Sequence, residues 1–201
     1  MGFIKEKASR IDVFYALFLL ISFFGWLLEE VFFFLRENGF ADRGFLSLPL
    51  STVYGIGILL SYFLFGLPNR FRFFFFSFPT PKTCKQKLTQ TILYVVLCGA
   101  VCTVCELLNG LILYGLFGFF MWDYRKIPFH YGPHICAPFA LIWGILAFFF
   151  LRYFFLYLLR LFVRINRETL FAVLLPLSLF LLLDLSMNCT YAFFYRVHMP
   201  L

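Results

Sequence analysis

Five apolar stretches, near residues 13–35, 45–66, 91–115, 138–159 and 170–194, alternate with short polar connections along the chain. A helix rises about 1.5 Å per residue, so roughly 20 residues cross the roughly 30 Å of a bilayer's hydrocarbon. The connections leave no room for a water-soluble domain. The pattern therefore predicts an all-α integral membrane protein with five transmembrane helices, folded as a single multi-pass domain over residues 1–201. Lys5, Lys7 and Arg10 precede the first stretch as they would a signal peptide. Glu29-Glu30 then stands where a small-residue cleavage site would be needed, so a retained helix is expected. Segment 116–136 is aromatic and broken by Gly132-Pro133, which predicts a re-entrant or interfacial element.

Prolines set several boundaries. Pro68, Pro79 and Pro81 break the chain after the second stretch, Pro138 suits the first turn of the fourth helix, and Pro176 should bend the fifth. The basic residues then orient the spans. Three lie in the N-terminal segment, Arg70, Arg72, Lys82, Lys85 and Lys87 lie in the 67–90 connection, and Arg160, Arg164 and Arg167 lie in the fourth connection. The alternate segments hold only Arg36, Arg43, Arg125, Lys126 and Arg196. By the positive-inside rule the N-terminus is expected in the cytoplasm and the C-terminus outside. Arg152 lies within reach of the cytoplasmic end and can snorkel there.

Composition agrees with a lipid environment: 63% of residues are hydrophobic and 13% charged. The net charge of +7 has no basic helix or aromatic platform to itself, so a membrane surface is the expected partner and nucleic acid is not. Phenylalanine is abundant, with 33 residues including the Phe73–Phe76 run, and carries no functional reading at this level. The six cysteines show no paired CxxC spacing, and Cys98, Cys102 and Cys105 follow the spacing of packing residues on one helix face. Cys136 and Cys189 both fall near the outer face, though sequence alone cannot bring their backbones together.

Three carboxylates interrupt the apolar runs: Glu29, Glu106 and Asp184. Acids at such depth are costly and need partners or a purpose. Counted along their helices they lie roughly 8, 13 and 15 Å below the outer ends, which predicts one shared outward-facing pocket. Each belongs to a polar or small-residue stripe: Ser22, Gly25 and Glu29; Cys102, Glu106 and Asn109; Asp184, Asn188 and Tyr191. Asp42, Arg43 and Tyr54 from the first outer loop and helix start, and Asp123, Tyr124 and His130 from the second loop, are expected to complete the substrate-binding set. The second loop would roof the pocket. His130 and His134 are four apart, but Gly132-Pro133 argues against a helix there, and no metal is expected at them. No cofactor is expected.

These residues also carry a family resemblance. Gly25-Trp26-Leu27-Leu28-Glu29, Asp42-Arg43-Gly44-Phe45-Leu46, Val53-Tyr54-Gly55-Ile56-Gly57, Glu106, Trp122-Asp123-Tyr124, Ile135-Cys136 and Trp143-Gly144 follow one motif series. It resembles the ABC-transporter type IV permeases, the CmpB-like membrane proteins, over most of the chain. Asp42 stands where that family has Asn, and Leu48-Pro49-Leu50-Ser51-Thr52 replaces its Gly-Pro-x-Cys-Pro stretch. The resemblance implies a permease component of a cell membrane, here a bacterial plasma membrane, that binds a solute or lipid headgroup. The sequence contains no Gly-x4-Gly-Lys-Ser/Thr loop, so ATP-driven transport would need a separate ATPase subunit. Five helices would also need a second copy or another subunit to line a path. The alternative is a membrane-embedded enzyme acting on a lipid or lipid-linked substrate at the outer leaflet, with the paired acids dividing acid and base roles. No nucleophile elbow or His-Glu-x-x-His helix supports it, so the reading leans away from an enzyme.

Overall fold

The computed structural model describes residues 9–37, 44–197 and 199. It is mostly helical. In chain order come α1 (Arg10–Glu37), α2 (Thr52–Phe65), short strands β1 (Gly66–Leu67), β2 (Arg70–Phe73) and β3 (Phe76–Ser77), then α3 (Cys84–Phe117). A two-stranded hairpin, β4 (His130–Tyr131) and β5 (Ile135–Cys136), precedes α4 (Ala137–Phe149). A π-helical turn at Phe150–Phe154 joins α4 to α5 (Phe155–Val163), and α6 (Arg167–Tyr195) ends the described helices. Among the described residues four helices are long and apolar enough to cross a membrane, with α4, the π turn and α5 counting as one of 27 residues, and α2 is a shorter apolar helix. The five expected apolar helices are therefore present.

Their limits differ from the hydropathy pattern for identifiable reasons. The second apolar stretch, expected from residue 45, becomes helical only at Thr52. Pro49 disfavours helical backbone at Leu48, and the Asp184 carboxylate accepts the Ser47 and Leu48 N–H groups at 3.3 and 3.1 Å in place of a helical turn. At 14 residues α2 is only about 21 Å long. The basic 67–90 connection is not an open loop either. Thr83 Oγ1 accepts the Gln86 N–H at 3.2 Å while Gln86 Oε1 accepts the Thr83 N–H at 3.2 Å, a capping box that starts α3 at Cys84 and takes Lys85 and Lys87 into the helix. Ser9 and Asp12 form the same reciprocal pair at the start of α1. Pro138 does occupy the first turn of α4, and Pro176 lies inside α6. Arg152 sits in the π turn, exposed, about three helical turns before Val163.

The chain divides into two compact units. The first takes in residues 1–55, 113–121 and 157–201. In it α1 and α6 pack together, Tyr15 and Ser178 share a hydrogen bond of 2.9 Å, and Leu113, Phe117 and Ala192 form a small core with Phe45, Phe119, Met121 and Cys189 against it. The second takes in residues 56–112 and 122–156. There α3 and α4 meet at Gly99 and Gly144, where an added Cβ would collide with the Ala140 and Val95 carbonyl oxygens respectively. Close approach of two backbones through small residues is the usual way helices pack in lipid. Cys98 is buried in the same unit, and all six cysteines are free thiols.

Candidate functional sites

Glu29 belongs to the first unit, on the stripe expected of it. Ser22 is fully buried, its hydroxyl returns to the Phe18 carbonyl at 2.8 Å, and its own carbonyl accepts the Ser51 N–H at 3.0 Å. One turn on, Gly25 leaves room for the Tyr54 ring, since a Cβ there would overlap Tyr54 Cγ. A further turn on, Glu29 Oε1 accepts the Tyr54 hydroxyl at 2.9 Å. The first turn of α2 is thus laid along Ser22, Gly25 and Glu29. Glu30, which the stripe passes over, is the more buried of the two adjacent acids at 9% exposure, whereas Glu29 is half-buried. Neighbouring residues on a helix point about 100° apart, so a one-face reading selects only one of such a pair.

Asp184 lies in the same unit but in a different environment. Besides the Ser47 and Leu48 N–H groups, its Oδ1 accepts Asn188 Nδ2 at 3.0 Å, and that amide also reaches Ser47 Oγ at 3.2 Å. Asn188 is 1% exposed. This constellation fastens the 44–51 segment to α6, a clamp made of neutral donors on one carboxylate. Tyr191, the last member of that stripe, lies against Tyr195 with the rings tilted by 33° and their centroids 4.5 Å apart. Asp42 and Arg43 lie outside the described residues.

Glu106 belongs to the second unit and is buried. Its Oε1 accepts the Tyr124 hydroxyl at 2.6 Å, within the range of a hydroxyl on a carboxylate. Tyr124 comes from the irregular segment before α4, stacks on Phe139 at 5.0 Å, and is tied by its N–H to the Pro133 carbonyl at 2.9 Å. His134 from the same segment is also buried and covers Gly110, one turn beyond Glu106, where a Cβ would stand 2.5 Å from Nδ1. Trp122 Nε1 donates to the His134 carbonyl at 2.9 Å. This segment covers the Glu106-bearing face of α3, and its residues 130–136 form a hairpin with His130 opposite Cys136.

Three expected members stand apart from this cover. His130 is exposed, with Nδ1 2.9 Å from the Ile127 carbonyl, so His134 is the histidine beside Glu106's face. Asp123 is exposed and held by Arg125, Nε at 2.9 Å and Nη2 at 2.6 Å. Those bonds hold its carboxyl at about 2, below the usual carboxylate range. Asn109 is half-buried, and the buried residue next to it is Gly110, on which His134 lies. Burial lowers the His134 pKa, which favours a neutral imidazole against α3. Among the described residues no three His, Cys, Asp or Glu side chains gather as a metal site would require.

Long apolar helices with hydroxyl-bound carboxylates at their packing faces define a multi-pass α-helical membrane protein with buried polar sites. Its sequence matches the family "Putative ABC-transporter type IV" over residues 16–189, and the chain belongs to that family. No curated protein and no solved structure matches it.

Proposed function

We propose that the chain is the membrane-embedded permease component of an ABC-type transport system, binding a solute or lipid headgroup through Glu29 and Glu106. The observation that carries this reading is the repeated arrangement of a carboxylate on a membrane-spanning helix, a tyrosine hydroxyl on that carboxylate, and a glycine one turn away that seats an aromatic ring. A carboxylate can accept from a cationic or hydroxyl-bearing ligand, or carry a proton that moves with it. Tyr54 and Tyr124 position the acids, and Asp184 keeps the approach to α2 in place. With no phosphate-binding loop in its sequence, the chain relies on a separate ATPase subunit for ATP hydrolysis. The proposed pockets open to the outer face, the N-terminus lies in the cytoplasm, and the host membrane is a bacterial plasma membrane.

The test is affinity purification of the full chain from its native membrane in mild detergent, with ATP hydrolysis measured on the eluate. Co-elution of an ATPase whose turnover drops on Glu106→Gln supports the reading. A chain that elutes without ATPase, or an ATPase indifferent to both Glu29→Gln and Glu106→Gln, overturns it.

A further inference from the structure

The Phe73–Phe76 run has a defined place in the second unit. β2 and β3 pair with Phe73 opposite Phe76, leaving Phe74 and Phe75 as a two-residue turn. Phe74 has a φ of +53°, a left-handed backbone that glycine or asparagine adopts more cheaply than a bulky ring. Local chain chemistry alone would not select phenylalanine there. Phe75 is 96% exposed and Phe76 77%. Toward the base of the hairpin, on the same face as Phe73, Phe71 is buried, stacked on Phe78 at 4.3 Å and edge-on to Tyr94 at 5.3 Å. The hairpin is thus packed through one aromatic face while its aromatic tip has no cover.

Two helices fix its height. Gly66 ends α2 and its carbonyl accepts the Tyr94 hydroxyl at 2.7 Å, while the Pro79 carbonyl accepts Gln90 Nε2 at 2.8 Å. Residues 90–94 are where α3 passes from a polar first part, Lys85, Gln86, Lys87 and Gln90, into its apolar run. From that level β2 doubles back along α2, for Phe74 N–H reaches the Leu64 carbonyl at 3.0 Å and Phe73 stacks on Phe65 at 5.9 Å. The Pro68–Asn69 turn therefore points away from the apolar part of α2 and the Phe74–Phe75 turn points toward it. Arg70, Arg72, Lys82, Lys85 and Lys87 are all exposed around this level, and residues 67–90 include no acid.

We propose that this hairpin is an interfacial element that inserts its phenylalanine tip into the bilayer surface and binds anionic phospholipid headgroups through the surrounding cations. Aromatic rings settle at the boundary of headgroup and acyl chain, and basic residues beside them attract the phosphates. A soluble protein partner would instead meet a tip directed away from water.

The experiment uses the full chain with Phe75→Trp, reconstituted in vesicles of phosphatidylcholine alone or mixed with phosphatidylglycerol, with emission taken as the difference from the parent protein. Brominated lipid should quench this reporter more strongly than aqueous iodide, and brominated phosphatidylglycerol several-fold more than brominated phosphatidylcholine at equal content. Arg70→Gln, Lys82→Gln and Lys85→Gln together should abolish that preference; Arg72 stays because its Nη2 holds the Phe63 carbonyl. Phe76→Trp provides a second reporter should the first fail to fold. Quenching by iodide alone, equal quenching by both brominated lipids, or shielding that develops only when an ATPase subunit is added would overturn the proposal.

Discussion

Glu29 and Glu106 are held by the same three parts built from different kinds of chain. At Glu29 both the hydroxyl and the ring on the glycine seat come from one residue, Tyr54, in the first turn of the short apolar helix α2. At Glu106 the hydroxyl is Tyr124's and the ring on the seat is His134's, both from an irregular segment. The backbone of a helix is tied residue by residue through its own hydrogen bonds, whereas a segment tied by a few hydrogen bonds can open locally. The first site is a joint between two helices and the second a cover held by a few hydrogen bonds, which is expected to open more readily.

The largest expected difference is steric. Gly25→Ala drives a methyl into the root of the Tyr54 ring, at Cβ and Cγ, where rotation about χ angles gives no escape. It should destabilise the chain by about 1–3 kcal/mol, read as a fall in the detergent-solubilised melting temperature. Gly110→Ala meets only the ring of His134 and should displace the cover with a smaller fall in melting temperature and faster hydrogen exchange over residues 122–136. Equal melting shifts without local exchange at Gly110→Ala would remove the distinction between joint and cover.

Next comes the hydroxyl. Tyr124→Phe deletes the bond to the buried Glu106 and should raise exchange in residues 122–136 by roughly tenfold, the equivalent of a hydrogen bond worth about 1.4 kcal/mol. Tyr54→Phe should leave exchange in α2 almost unchanged, because the ring still fills the Gly25 seat. Matching responses in the two variants would mean that both tyrosines hold their acids in the same way.

The second site should also respond to pH. His134 is neutral against α3 and its pKa is lowered by burial, so the open segment binds a proton more readily than the closed one. The closed form is then fully favoured above the free-histidine value of about 6.5, and that advantage is lost as pH falls through the lowered value. Exchange over 122–136 should accelerate as pH falls below about 6.5, and His134→Gln should flatten the profile.

These contrasts also explain what the sequence could reveal. The Ser22, Gly25 and Glu29 stripe was legible because both partners of the joint are regular helices, and a helical period carries the contact with it. The start of α2 was not, since the carboxylate that replaces its missing turn lies 136 residues away in sequence. The capping boxes at Ser9–Asp12 and Thr83–Gln86 were readable signals that set the starts of α1 and α3 earlier than hydropathy did. His134 was passed over in favour of His130 because the hairpin that turns one inward and the other outward has no periodic signature in Gly132-Pro133. The Phe73–Phe76 run hid a strand turn for the same reason: four identical apolar residues show no alternation.

The smallest effect is expected at Asp123. It lies one residue before Tyr124, yet its carboxylate is exposed and fully engaged by Arg125, so it neither touches Glu106's face nor bears on the cover's packing. With its carboxyl held at about 2, its charge and its pairing are constant from pH 8 to well below the window in which His134 titrates. Acid loosening of residues 122–136 between neutral pH and about pH 5 can therefore not come from this pair. Asp123→Asn should leave the melting temperature, the exchange of residues 122–136 and its pH profile where they are. A shift of the profile midpoint on Asp123→Asn would show that the exposed ion pair, not burial of His134, sets the stability of the cover.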